Sequence, residues 1–148
     1  MDDRQQQLSQ WLSTALQQAD FNLTVASADA SFRRYFRVHL ACAYLGHHTL
    51  IAMDAPPPQE DCTPFVKIAK QFLDAGLNVP KVIAQDLTHG FLLLSDLGND
   101  TYLQHLNNET AQMLYGDATN ALIKLQLASK SHDLPPYDEA LLTREMQL

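Results

Sequence analysis

The run Phe91-Leu92-Leu93-Leu94 is apolar at every position. A strand with one face in water alternates apolar and polar residues, because successive side chains point to opposite faces. A run without alternation reads as a central strand covered on both faces. The rest of the chain must then supply neighbours on either edge and packing layers above and below. With 148 residues, 46% apolar and only 18% charged, the composition is that of a globular fold. A chain of this size removes about 70% of its unfolded surface from water and needs no disulfide or metal staple.

Those layers are legible around the run. Leu8, Trp11, Leu12, Ala15 and Leu16 fall at i, i+3, i+4, i+7 and i+8, one apolar stripe on a helix. Phe21, Leu23 and Val25 alternate with polar residues, as do Phe36, Val38 and Leu40, and Thr49–Met53 reads as a third strand after a turn near Gly46. Three strands with short links predict an antiparallel meander. Ala55-Pro56-Pro57-Pro58 stops the third strand. Thr63 before Pro64 reads as a helix cap, Phe65, Ile68, Ala69, Phe72 and Leu73 as that helix's buried face, and Gly76 as its C-terminal cap. Val79–Ala84 is a fourth strand, joined to the central run through His89-Gly90. From Asn108 to about Ser129 the pattern is helical, with Leu114, Ala118, Ala121, Leu122 and Leu125 on one face. Asp138 caps a last helix with Leu141, Leu142 and Met146, which carries no stop signal before Leu148 and reads as cut.

Several functions are disfavoured. A net charge of -7 and a pI near 5.1 argue against nucleic-acid binding, which needs clustered Lys and Arg to displace counterions. No apolar run approaches the ~18 residues of a membrane span, and the first residues lack the regions of a signal peptide. Cys42 and Cys62 have no metal spacing, so a reduced, cytoplasmic protein is expected. His47-His48 reads as a surface turn, since adjacent strand residues face opposite ways. Cys62 stands at a helix start, where the dipole would favour a thiolate and where plain packing would seat a thiol. Asp54 could cap a loop or face a cleft.

Asp29–Val38, Met53-Asp54-Ala55-Pro56-Pro57, Pro64-Phe65-Val66, Gly90–Gly98, Thr101-Tyr102-Leu103 and Leu134–Asp138, in this order and spacing, resemble the aminoglycoside phosphotransferase family, whose fold is protein-kinase-like. Within it the likeness is to the bacterial kinases of cell-wall amino sugars, N-acetylmuramate and N-acetylglucosamine. The resemblance implies an α+β small lobe, an antiparallel five-stranded sheet plus helix, over residues 1–97 including the hinge. Residues 98–148 would begin a helical large lobe, incomplete here. It implies ATP and Mg²⁺ as cofactors, a small-molecule amino-sugar substrate, no nucleic acid or membrane partner, and a missing C-terminal lobe of the same protein.

In that fold ATP lies under the loop joining the first two strands, here Asp29–Arg34. The loop lacks the glycines of protein kinases, but Ala28, Ala30 and Ser31 are small, and backbone N–H groups with the Ser31 hydroxyl could donate to phosphate. An ordinary polar hairpin is the plain alternative. Protein kinases also carry Val-Ala-Ile-Lys on the third strand, whose lysine pairs the α- and β-phosphates. The aligned word here is Leu50-Ile51-Ala52-Met53, and methionine carries no charge. The candidate cations are Arg33, Arg34 and Arg37. Arg33 and Arg37 share strand parity with Tyr35, opposite to Phe36 and Val38. Arg37, or failing it Arg33, is expected to replace the lysine, guanidinium being bidentate toward phosphate and permanently charged. The resemblance puts the adenine hinge at Ser95, Asp96 and Leu97, with Met53 and Leu94 as apolar walls. The family's catalytic base and metal ligands come from a His-Gly-Asp-type loop that does not occur up to Leu148. No catalytic or metal-binding residue is therefore assigned in this chain, and the fragment alone is expected to be inactive. The other readings are a different small-molecule kinase of the family (aminoglycoside, choline or homoserine type) or a non-catalytic nucleotide-binding or interaction module.

Overall fold

The computed structural model describes residues 2–28, 32–130, 134 and 136–147. Helix α1 (Asp3–Leu16) leads into strands β1 (Phe21–Ala28), β2 (Arg34–Tyr44) and β3 (His47–Asp54). Helix α2 (Thr63–Asp74), strands β4 (Val82–Asp86) and β5 (Phe91–Ser95), and helices α3 (Tyr102–His105), α4 (Ala111–Ala128) and α5 (Glu139–Glu145) follow. The strands form one antiparallel sheet in the order β1-β2-β3-β5-β4. The apolar run is thus interior, and all five residues of β5 are buried, as continuous apolarity requires. This is the α+β, five-stranded architecture of a kinase-like small lobe.

The two faces of the sheet are covered differently. Helix α1 opens on Asp2, whose side chain accepts from the Gln5 amide, and lays Leu8, Leu12 and Leu16 onto Phe36, Val38, Leu40, Leu50, Ala52, Phe91 and Leu93. The other face carries Met53, Leu92 and Leu94, with Ala55 and Cys62, against Tyr35, Ile51, Phe65, Val66 and Val82. Val25 continues the alternation of β1 but is 74% exposed, because the α1 core does not extend to it and the ladder shifts register between Val25 and Ser27.

Local signals explain the connections. Leu45 and Gly46 both have positive φ, 50° and 82°, the conformation of a two-residue hairpin turn between Tyr44 and His47. Gly90, at φ +71°, has no room for a side chain: a Cβ would lie 1.9 Å from the Ala55 carbonyl oxygen. Helix α2 departs from its predicted start, since Cys62 is the cap residue and Thr63 the first helical one. The accepting side chain is Asp61, whose Oδ1 takes the Thr63 amide at 2.8 Å. The far end is as expected: Gly76 donates to Leu73 O and Leu77 to Phe72 O, a Schellman closure. None of α2's apolar residues is fully buried, and Leu73 is exposed, so its predicted buried face is only partly covered. In α4, Leu114, Ala118 and Leu125 are half-buried, while Ala121 and Leu122 lie in the open. Asp138 does cap α5, accepting from the Leu141 amide.

Asp54 neither caps a loop nor faces a cleft. It is wholly buried at the end of β3, on the α1 side, between two arginines. Arg4 Nε donates to its Oδ1 at 2.8 Å, and Arg34 Nε and Nη2 donate to Oδ2 at 3.0 and 2.6 Å. Arg34 also reaches Asp2, and the Arg4 guanidinium lies 4.4 Å from the Phe91 ring centroid while donating to the His89 carbonyl. This network pins the start of α1 to the sheet. Replacing both Arg4 and Arg34 with alanine leaves a buried, unpaired carboxylate, for which the expected loss is about 3–5 kcal/mol. Urea unfolding of the double variant measures it, and a loss under about 1 kcal/mol, the size of an exposed ion pair, would refute a clamp of this kind.

Candidate functional site

Strand register assembles the site. Tyr35, Met53 and Leu92 are cross-strand partners, and so are Arg37, Ile51 and Leu94. Neighbours in a ladder share a face, so two rows of side chains lie on the α2 side of the sheet. Arg33 precedes β2 with the same parity, and Asp96 follows β5 with the parity of Leu94.

Met53 is fully buried in this layer, packed among apolar groups of β2, β5, α2 and its approach. The Met53 position is therefore a sealed apolar seat. Cys62 is packed there too. Burial raises its thiol pKa above the ordinary value, so the site holds a thiol and not a dipole-stabilised thiolate.

The three candidate arginines part company. Arg34 lies on the opposite face, in the Asp54 network, over Phe36. Arg33 stands at the mouth of α2, where its Nε donates to Glu60 Oε2 at 2.9 Å; the same carboxylate takes the Phe32 amide through Oε1 at 3.2 Å. Arg33 also borders a hollow of about 520 Å³ lined by Phe65, Ile68, Phe72 and Val79. Arg37 points along the sheet to the turn after β5. Its Nε and Nη2 donate to Asp96 Oδ2 and Oδ1 at 2.6 and 3.1 Å. Only 17% of the Arg37 side chain and 5% of the Asp96 side chain remain exposed. Ala30 and Ser31 lie outside the described residues.

The turn after β5 is held at both ends. The Ser95 amide donates to Lys81 O at 2.9 Å, and Ser95 Oγ accepts from the Lys81 amide at 2.9 Å. The Gly98 amide donates to Asp96 Oδ1 at 2.8 Å, and Arg37 Nη2 reaches the Gly98 carbonyl at 3.4 Å. Between these ends, no hydrogen bond to another described residue engages the Leu97 backbone, and its side chain is 53% exposed. Burial pushes the Asp96 carboxyl up, but hydrogen bonds from Arg37, the Gly98 amide and the Thr49 hydroxyl outweigh it, and the carboxyl sits below its ordinary value. Among the described residues no three His, Cys, Asp or Glu side chains converge as a metal site would need, and no helix is long and apolar enough to cross a membrane.

The sequence named Arg33, Arg37 and Asp96 but not the groups they pair with. Glu60 and Gly98 belong to no periodic pattern. The one available signal was parity, which puts Thr49 on the face of Arg37.

The profile of the phosphotransferase enzyme family matches residues 22–147. The chain is 48% identical to an N-acetylmuramate/N-acetylglucosamine kinase of Pseudomonas aeruginosa, covering 99% of this chain and 45% of that protein. A kinase of the same name from Pseudomonas putida is 46% identical with the same coverage. One from Neisseria meningitidis is 40% identical over 98% of this chain and 43% of its own length. The chain therefore spans under half the length of these curated relatives. It belongs to the phosphotransferase enzyme family.

Two measurements test this geometry. Met53→Ala should cost about 2–5 kcal/mol of stability, read by denaturant unfolding; a change near zero would mean that the seat is open rather than packed. The second concerns pH. Asp96 has a depressed folded pKa, so its contribution is present above the unfolded value, near 3.8, and is lost as pH falls through the folded value. Asp96→Asn should therefore flatten the fall in stability across that acidic window relative to wild type, and parallel curves would contradict the assignment.

Proposed function

We propose that this chain is the nucleotide-binding part of an ATP-dependent kinase that phosphorylates a hydroxyl of N-acetylmuramate or N-acetylglucosamine. The family membership and the named activity of relatives at 40–48% identity support the amino-sugar substrate. The observation that carries the nucleotide reading is the hinge. A short turn anchored at Ser95 and Gly98 leaves the Leu97 backbone unpaired at the end of a rigid, fully buried strand. Such a turn suits an adenine edge, which is read by one backbone acceptor and one donor. Ile51, partly exposed on the same face, supplies apolar wall for a planar base, with the buried Met53 and Leu94 packed beside it.

For the phosphates, Arg33 is the better placed cation. It lies beside the β1–β2 loop and pairs with Glu60 at the approach to α2. A carboxylate holding a cation at the mouth of this helix performs the positioning that a helix glutamate performs for lysine in protein kinases. Guanidinium adds a planar fork that fits phosphate oxygens. Ala30 and Ser31, outside the described residues, enter this reading only through the resemblance. Arg34, committed to Asp54, serves the fold. Residues 1–97 are then the small lobe and hinge, and 98–148 open the large lobe. The donor set described fits the nucleotide and does not fit Mg²⁺, whose ligands, like the catalytic base, would belong to the part of the relatives' length that this chain does not span. In this reading turnover requires those residues as well. Nothing in this reading calls for a membrane or nucleic acid, and cytoplasmic cell-wall recycling is the setting it implies.

The test is an assay of the full-length protein with ATP, Mg²⁺ and each amino sugar. Phosphorylated N-acetylmuramate or N-acetylglucosamine is expected, and transfer only to an aminoglycoside, choline or homoserine would move the enzyme elsewhere in the family. Arg33→Ala should raise the KM for ATP by roughly 10- to 100-fold, the effect of losing a charged hydrogen-bond pair, with little change in sugar KM. An unaltered ATP requirement would remove Arg33 from the site.

A further inference from the structure

We infer that Arg37 is a positioning residue for the adenine-reading backbone and makes no contact with the phosphates. The inference rests on the nucleotide reading above and assigns Arg37 a different task from the lysine it was expected to replace. The argument starts from what the guanidinium already holds. Its two nitrogens bind both oxygens of Asp96, at 2.6 and 3.1 Å, and one of them also reaches the Gly98 carbonyl. Asp96 in turn takes the Gly98 amide at 2.8 Å. Both backbone polar groups of Gly98 are thus tied to one ion pair, and the pair is nearly sealed from water, with 5% of the Asp96 side chain exposed.

Releasing Arg37 to a phosphate would strip a buried carboxylate of its charged partner, which is among the costlier changes a protein can make. The register also places Arg37 beside Ile51 and Leu94, one row nearer the hinge than Met53. The phosphate-binding lysine of the kinase fold aligns with Met53, so Arg37 stands at the base end of the cleft. The turn Ser95–Gly98 comprises the residues that follow β5, and it has φ +85° at Gly98. Without the pair, nothing among the described contacts would fix the direction of the Leu97 backbone groups. Backbone recognition of a base edge needs donor and acceptor held within tenths of an ångström, because hydrogen bonds weaken steeply when misaligned. Arg37 and Asp96 supply that fixity from the neighbouring strand.

The experiment separates base from phosphate. In the full-length protein, inhibition constants of adenosine and of inorganic tripolyphosphate, each competing with ATP, are measured for wild type, Arg37→Ala, Asp96→Asn and the double variant. Far-UV circular dichroism and thermal melting check folding. The expected result is that each single variant weakens ATP and adenosine by the same factor, about tenfold or more. Tripolyphosphate should be unchanged within about twofold, and the double variant should be no worse than the weaker single one, as a coupled pair requires. Arg33→Ala should give the mirror image, weakening tripolyphosphate and sparing adenosine. Should Arg37→Ala fail to fold, Arg37→Lys keeps the charge without the planar fork and carries the same comparison. Loss of tripolyphosphate binding in Arg37→Ala with adenosine intact would overturn the inference, and so would unchanged binding of both. A wild-type protein that binds neither ATP nor adenosine would overturn the nucleotide reading itself, an outcome distinct from either.

Discussion

Strand β5 has no face and no edge in water. It pairs with β3 on one side and β4 on the other, and all of its residues are buried. Backbone groups in such a strand must find partners within the sheet, and apolar side chains on both faces demand cover. The cover differs. Helix α1 seals one face with leucines and a four-residue ionic network, whereas α2 leaves its own apolar residues only half-buried. One face is therefore well covered, and the other is covered less completely, which is where the proposed reading seats the nucleotide. Because β5 is rigid, the turn that leaves it at Ser95 starts from a fixed point.

The same sorting explains the arginines. Three of the ten basic residues of the chain fall at positions 33, 34 and 37, yet strand periodicity sends Arg34 to the structural face and the other two to the open one. Each meets its own carboxylate: Arg34 with Asp54, Arg33 with Glu60, Arg37 with Asp96. A cluster that looks like a single phosphate grip in the sequence is three separate devices in space. They hold the start of α1, the mouth of α2 and the turn after β5.

Much of the fold was legible. Period-two strands, the α1 stripe and the unbroken apolar run declare their own burial, because each depends on side chains a few positions apart. Gly76 and Asp138 announced helix ends for the same local reason. What could not be read depends on distant partners. Thr63 looked like a cap until Asp61 took that role through a turn of its own. Val25 fits the alternation of β1, but exposure is decided by how far a helix from elsewhere extends. Asp54 gave no hint of its two arginines, one of them fifty positions away. In the candidate site, parity correctly put Arg33 and Arg37 on one face, and it could not say that Asp96 would claim Arg37 across fifty-nine positions.

Charge explains why geometry has to do what field cannot. A chain with a net charge of -7 does not draw a polyanion by long-range attraction, and surface fields are screened beyond about 8–10 Å at physiological salt. Every arginine on β2 and its approach is already neutralised by a carboxylate, so the open face offers little net positive potential. A triphosphate held here would be held by direct, directional bonds made at short range. Arg33 beside its glutamate can offer these, since a guanidinium keeps a fork of donors in a fixed plane. Met53 fits the same logic. An ammonium at that buried seat would need a carboxylate partner from α2, and α2 contains no glutamate and only a single aspartate, Asp74 at its last turn. Methionine fills the seat without a charge to satisfy, and in the proposed reading the positive group is Arg33 at the loop, where Glu60 meets it.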